Sequence, residues 1–175
     1  DTSGLLNATP VTISGVGAGL LVAGQSTLSG NIRNEGLISG SGYIFNGVSV
    51  TPVGAGISVI SGSTITGRIE NASGGVIASD TGVAILVDAT SSVLGGLSGA
   101  GVWRGVTNAI SNAGLIEGSS GVDVFGLVIF GGSVIGNIVN TGVIRGSSGV
   151  YMVSNTSVTG SLINSGLISG TYSGI

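Results

Sequence analysis

The chain has no cysteine, no histidine and no lysine, and only 6% of its 175 residues carry charge. Each absence excludes a class of chemistry. Without cysteine there is no disulfide framework and no thiol chemistry. Without histidine or cysteine the Ser–His–Asp triad, the Cys–His dyad and histidine-based metal sites are all closed. The four basic residues, Arg33, Arg68, Arg104 and Arg145, are scattered. Nucleic acid, which needs clustered Lys and Arg to displace counterions, is therefore not an expected partner. A net charge of −3 is too small for strong electrostatic steering. The longest apolar runs, Val83–Val87 and Leu127–Phe130, fall far short of the roughly 20 residues of a spanning helix, so no membrane insertion is expected of this segment. No signal peptide is evident, and the chain begins at Asp1 as a mature protein or an excised fragment would.

What is abundant is glycine, 36 residues, together with Ile, Val and Leu. Glycine is about three times its usual frequency of roughly 7%. There is no Gly-X-Y period, so collagen is excluded. The aliphatic content is enough to sustain a packed core, so the composition does not read as disorder.

One phrase recurs: apolar-x-Asn-x-Gly-apolar-Ile-x-Gly. It reads Ile32 to Gly40, Ile110 to Gly118, Ile138 to Gly146 and Leu162 to Gly170. Two further copies, Leu5 to Gly15 and Ile69 to Ser79, carry a two-residue insertion after the Asn. The equivalent asparagines are Asn7, Asn34, Asn71, Asn112, Asn140 and Asn164, spaced by 27, 37, 41, 28 and 24 residues. A second phrase follows, Gly-apolar-x-apolar and then Ser, as in Gly56–Ile60, Gly82–Val87 and Gly149–Val153. The longer units carry insertions near residues 41–55 and 95–107, as loops on a repeating coil should.

Alternating β-branched residues favour strands, and glycine at this density would cost a helix about 1 kcal/mol per site. The phrases repeat in one direction with no mirrored partner, which argues against hairpins. A 24-residue unit holding about three short strands is one turn of a parallel β-helix. The expectation is thus an all-β fold: a single right-handed parallel β-solenoid over 1–175, of about five to six coils with loop insertions.

The register makes further predictions. Gly36, Gly114, Gly142 and Gly166 are expected at bends needing positive φ. Asn at a corner tolerates left-handed backbone and bonds its own turn. Stacked across coils, the six amides would form a ladder; the alternative is that each Asn is only a turn former. Arg33 should face Glu70, and Glu117 should face Arg145, across about 4.8 Å.

The runs Asn164–Gly170, Asn112–Gly118 and Asn140–Gly146 resemble the passenger-domain repeats of bacterial autotransporters, which often read Asn-x-Gly-x-Ile-x-Gly. The resemblance covers nearly the whole chain. It implies secretion and an extracellular or outer-membrane-surface location, with this chain a passenger segment lacking the family's membrane barrel. The final Tyr172–Ile175 begins a second phrase and stops, as in a fragment or at an open end that meets another molecule.

Solenoid enzymes that cut glycans cluster carboxylates within about 5–10 Å. The seven acids are Asp1, Glu35, Glu70, Asp80, Asp88, Glu117 and Asp123; only Glu35 and Glu70 are placed to approach, with Arg33 two residues before Glu35. Calcium-binding nonapeptides are absent, and Thr64-Ile65-Thr66 is one isolated instance of an ice-binding pattern. Gly15–Gly19 has no Lys after it, so it makes no phosphate loop. No cofactor and no metal are expected. The aromatics Tyr43 and Phe45 in the first insertion, and Trp103 with Arg104 in the second, are candidate binding-loop residues; the alternative is that they fold back over the coil. Phe125, Phe130, Tyr151 and Tyr172 fall near strands and are expected to pack or stack. The leading reading is a non-enzymatic secreted surface protein, an adhesin segment or rigid stalk, whose partner is a host surface. The second is a subunit that stacks end to end into a filament, and a glycan-active enzyme is third.

Overall fold

A computed structural model describes residues 4–41, 44–45, 50–51, 54–95, 108–118, 125–153 and 155–175. Among them there is no helix, and the strands lie in parallel stacks, consistent with a β-solenoid. The stacks form four rows. An Asn row holds Gly4–Asn7, Asn31–Asn34, Ile69–Asn71, Asn108–Asn112, Asn137–Asn140 and Leu162–Asn164. An Ile row holds Thr12–Val16, Leu37–Ser41, Val76–Ser79, Leu115–Gly118, the start of Val143–Val153, and Leu167–Ser173. A Val row holds Ala18–Val22, Ala55–Val59, Val83–Val87, Phe125–Phe130 and the end of Val143–Val153. A short Ser row holds Thr27–Leu28, Thr64–Ile65, Ser92–Val93, Ser133–Val134 and Ser157–Val158.

The first unit thus has four strands where three were expected, and the reason is local. Gly17, at φ +94°, breaks the path between the Ile and Val rows. In the shortest unit no such residue intervenes, and Val143–Val153 runs on as one 11-residue strand.

The pleat turns alternate side chains inward, and parallel register stacks each on its counterpart. The Ile row contributes Ile13, Ile38, Ile77, Ile116, Ile144 and Ile168; the Asn row contributes Leu5, Ile32, Ile69, Ile110, Ile138 and Leu162. All the interior members of these two columns are fully buried in one continuous core. At about 1.5–3 kcal/mol per buried aliphatic side chain, these columns are the main favourable term.

The glycines after the ladder asparagines are needed for a reason other than the expected one. Gly36, Gly114, Gly142 and Gly166 do not have positive φ. Instead the coils approach so closely there that a Cβ on Gly114 would collide with the Gly75 carbonyl oxygen, and one on Gly142 with that of Gly114. Nor do the ladder asparagines adopt left-handed backbone. Within that corner positive φ is found at Gly74, in the longer turn after Asn71; elsewhere it is found at Gln25, Ser61 and Asn155, where the Val row turns into the Ser row, and at Gly30 and Gly136 beyond the Ser row.

Hairpins were not expected, yet Ile44–Phe45 pairs antiparallel with Val50–Thr51 inside the first insertion. That segment lies outside the repeat, so no neighbouring coil offers it a partner.

Candidate functional site: stacked polar columns

The sequence places one Asn at the end of each strand of the Asn row, where the inward position meets the corner. The side chain is therefore buried but lies beside the turn carbonyls. Asn34 and Asn140 are fully buried, and Asn7, Asn71 and Asn112 nearly so. Their amides join in a single file: each Nδ2 donates to the next Oδ1, at 2.7 Å from Asn7 to Asn34, 2.8 Å from Asn34 to Asn71 and 2.9 Å from Asn71 to Asn112. The file continues at 2.8 Å from Asn112 to Asn140 and at 2.8 Å from Asn140 to Asn164. Each interior Nδ2 also donates to the glycine carbonyl of its own turn and to a carbonyl of the next coil, such as Gly75 and Leu115 for Asn71. The ladder has a direction, with donors pointing towards the C-terminal end. Its first acceptor, Asn7 Oδ1, is buried and receives no hydrogen bond.

The charged residues lie on the outward side of the same coils. Glu70 is in register with Arg33, and Arg145 with Glu117. Arg33 Nε donates to Glu35 Oε1 at 2.8 Å and its Nη1 donates to Glu70 Oε1, while Arg68 pairs with Glu70 Oε2 at 3.3 Å. Arg145 Nε donates to Glu117 Oε1 at 2.9 Å. The hydrogen bond to Glu35 and the charge of Glu70 hold the Arg33 guanidinium above the usual arginine value; Glu117 does the same for Arg145. The two carboxylates expected to approach, Glu35 and Glu70, are thus bridged by one guanidinium. No group of three or more acidic side chains is placed to hold a metal ion among the described residues.

Asp88 works as a corner brace. Its Oδ2 accepts from the Ser61 backbone N–H of the previous coil at 2.7 Å, and its Oδ1 accepts from Ser91 Oγ at 2.6 Å. The Ser row exposes a column that sequence reasoning missed. Thr27, Thr64, Ser92, Ser133 and Ser157 stand in register, with Thr64 Oγ1 and Ser92 Oγ 3.2 Å apart. Thr64-Ile65-Thr66 remains the single Thr-x-Thr, and Thr27-Leu28-Ser29 and Ser157-Val158-Thr159 share its column. Aligning the Ser-apolar pairs that follow each second phrase would have revealed it.

The binding-loop residues fare differently. Tyr43, Trp103 and Arg104 lie outside the described residues; the backbone of Phe45 is in the short antiparallel pair and its side chain lies outside the description. Of the strand aromatics, Phe125 stacks on Tyr151 with centroids 4.9 Å apart and planes 14° apart. Phe130 and Tyr172 do not pack inward and are 55% and 76% exposed. On the outward side of the Val row Ser58 is fully buried, and its hydroxyl has no hydrogen-bond partner.

Comparison with known proteins adds no further constraint: no family model, no curated protein and no solved structure matches this chain.

Proposed function

We propose that this chain is a non-enzymatic, secreted surface protein: an adhesin segment or rigid stalk of an autotransporter-like protein, displayed outside the cell. The coil is right-handed, with about five complete turns and a sixth begun, so the rod is about 25–30 Å long at about 4.8 Å per turn. One observation carries the reading. Hydrogen-bonded asparagines and stacked isoleucines run through every coil without a break, while Glu35, Glu70, Glu117 and Asp88 are bound into ion pairs or a turn. Such an arrangement resists bending and proteolysis and carries whatever its loops or its neighbours in a longer chain present. Its partner on this reading is a host surface.

The test is location. Antibody raised against the chain and added to intact producing cells should label them, and protease added outside should remove the label. Labelling that appears only after permeabilisation would overturn the proposal.

A further inference from the structure

The triplet Asn-x-Ser/Thr, whose asparagine amide can accept a sugar where it lies on an accessible surface, occurs three times: Asn7-Ala8-Thr9, Asn71-Ala72-Ser73 and Asn155-Thr156-Ser157. The reacting atom is Nδ2, so a triplet counts only where the fold leaves that atom within reach. Two are closed by the ladder. Asn7 and Asn71 are each 1% exposed. Asn7 Nδ2 is committed to Asn34 Oδ1 at 2.7 Å and the Leu37 carbonyl at 3.0 Å, and Asn71 Nδ2 to three acceptors at 2.9–3.1 Å.

Asn155 is the opposite case. It stands at the corner where the Val row turns into the Ser row, at φ +62°, and it is exposed. Among the described residues, neither its side chain nor the exposed Ser157 hydroxyl takes part in a hydrogen bond. Thr156 between them is turned to the scaffold instead: its Oγ1 donates to the Ile129 carbonyl at 2.7 Å and accepts from the Gly131 N–H at 3.2 Å. The middle residue is thus held, and the two recognised side chains are left outward. The corner sets this exposure, not the place of the coil in the stack. Thr90, two residues before Ser92 as Asn155 is before Ser157, is exposed with coils on both sides of it. Backbone geometry alone does not call for asparagine here, because Gly62 and Gly131 meet it at φ +74° and +69° in the same position of other coils. Gly131, one coil before, also adds no side chain to crowd a group attached to Asn155.

We infer that Asn155 is an N-glycosylation site, modified in the folded chain by a transferase that uses a sugar activated as its diphosphate ester. Nδ2 forms a bond to the anomeric carbon as the bond from that carbon to the diphosphate oxygen breaks. The diphosphate leaves with the electron pair, and one Nδ2 proton passes to the transferase's base, so no oxidant or reductant is needed. The Ser157 hydroxyl is the second element the transferase reads. Order matters. A sugar on Asn71 would take an Nδ2 proton that the ladder uses, so the ladder closes before the transferase acts, and the fold itself selects Asn155. The inference rests on the solenoid register and not on host-surface binding.

The first readout is the mass of full-length chain from the cells that make it, with the modified residue located by peptide mapping. The expected result is one glycan per chain, on Asn155. Asn155→Gly, which keeps the corner as Gly131 does, and Ser157→Ala should each remove it. Ser157→Thr, matching Thr64 in the same column, should keep it. Guanidinium unfolding should place all three variants with the parent, so that a lost sugar is not a lost fold. The second readout uses purified folded chain with a soluble asparagine glycosyltransferase and a nucleoside-diphosphate sugar, beside peptides spanning the three triplets. All three peptides should accept sugar. Folded chain should accept it at Asn155 about tenfold or more faster than at Asn7 or Asn71, where modification waits for local opening. Chain from its own cells that is unmodified at Asn155 overturns the site. Sugar entering Asn71 of folded chain as fast as it enters the peptide overturns the selection by the ladder, and the register with it.

Discussion

Truncating Asn71 in the middle of the ladder separates a hydrogen-bonded file from a set of independent turn formers. Its Nδ2 donates to Asn112 Oδ1 at 2.9 Å and to the Gly75 and Leu115 carbonyls at 3.1 Å each, and its Oδ1 accepts from Asn34 Nδ2 at 2.8 Å. Asn71→Ala leaves Asn112 Oδ1 buried without a donor, which costs about 1–3 kcal/mol. Asn34 keeps the Gly36 and Val76 carbonyls and loses about 0.5–1 kcal/mol. The expected destabilisation is about 2–4 kcal/mol, read by guanidinium unfolding followed by circular dichroism. A turn former with ordinary φ would tolerate alanine at about 0.5 kcal/mol. A cost below about 1 kcal/mol would therefore refute the ladder as a source of stability.

Asn71→Asp sharpens the test through its sign. The introduced carboxyl would be buried among acceptors, so its folded pKa rises above the unfolded value of about 3.9. Folding then takes up a proton, and stability present below about pH 4 is lost as pH rises through the folded value. At low pH the neutral acid still offers one O–H to Asn112. Asn71→Asp should approach the parent in acid and fall below Asn71→Ala at neutral pH, whereas the Ala deficit should not change with pH. A pH-independent Asp variant would mean that water reaches the file.

Three further outcomes follow from the packing. Ile77→Ala, in the buried Ile column, should cost about 2–5 kcal/mol in chemical unfolding, while Ile168→Ala at the open end should cost less than half as much. Gly114→Ala should be worse than Gly74→Ala in the same assay: Gly74 has positive φ but open space, for about 1 kcal/mol, whereas a Cβ at Gly114 meets the Gly75 and Ala72 carbonyls. A double-mutant cycle on Glu117 and Arg145 should return a coupling of about 0.2–1 kcal/mol that shrinks as salt is added, as expected for exposed pairs.

The register was legible in the sequence because parallel stacking places like on like, so the position of each Asn names its neighbour one coil away. That reasoning set Arg33 against Glu70 and Glu117 against Arg145 from spacing alone. The role of the glycines was not legible. A residue that must be Gly because φ is positive and one that must be Gly because a backbone passes within van der Waals reach leave the same letter; Gly74 is of the first kind and Gly114 of the second. The Ser row was missed because its strands are two residues long, too short for periodicity to register. The antiparallel pair around Phe45 was missed because it stands outside the repeat whose direction argued against hairpins.

Unequal units make the physical case that scaffold and loops are separable. The asparagines are 24 to 41 residues apart in sequence, yet every rung of the ladder measures between 2.7 and 2.9 Å. Insertions enter only at corners, and the entropy of closing a loop grows slowly with its length. In the first unit the Ile row passes to the Val row through Val16-Gly17-Ala18; Ser41 is in register with Val16, and Ala55 with Ala18. Deleting residues 42–53 therefore joins Ser41 to Ala55 through Gly54, a one-glycine link matching Gly17. The shortened chain should keep the ladder, with its Asn side-chain amide signals protected from exchange, and lose no more than about 1–2 kcal/mol. Binding to a host surface through Tyr43 and Phe45 would disappear while folding survived. If the deletion unfolds the chain instead, the insertion is a structural cover rather than a presented loop, and the binding role assigned to those two aromatics falls with it.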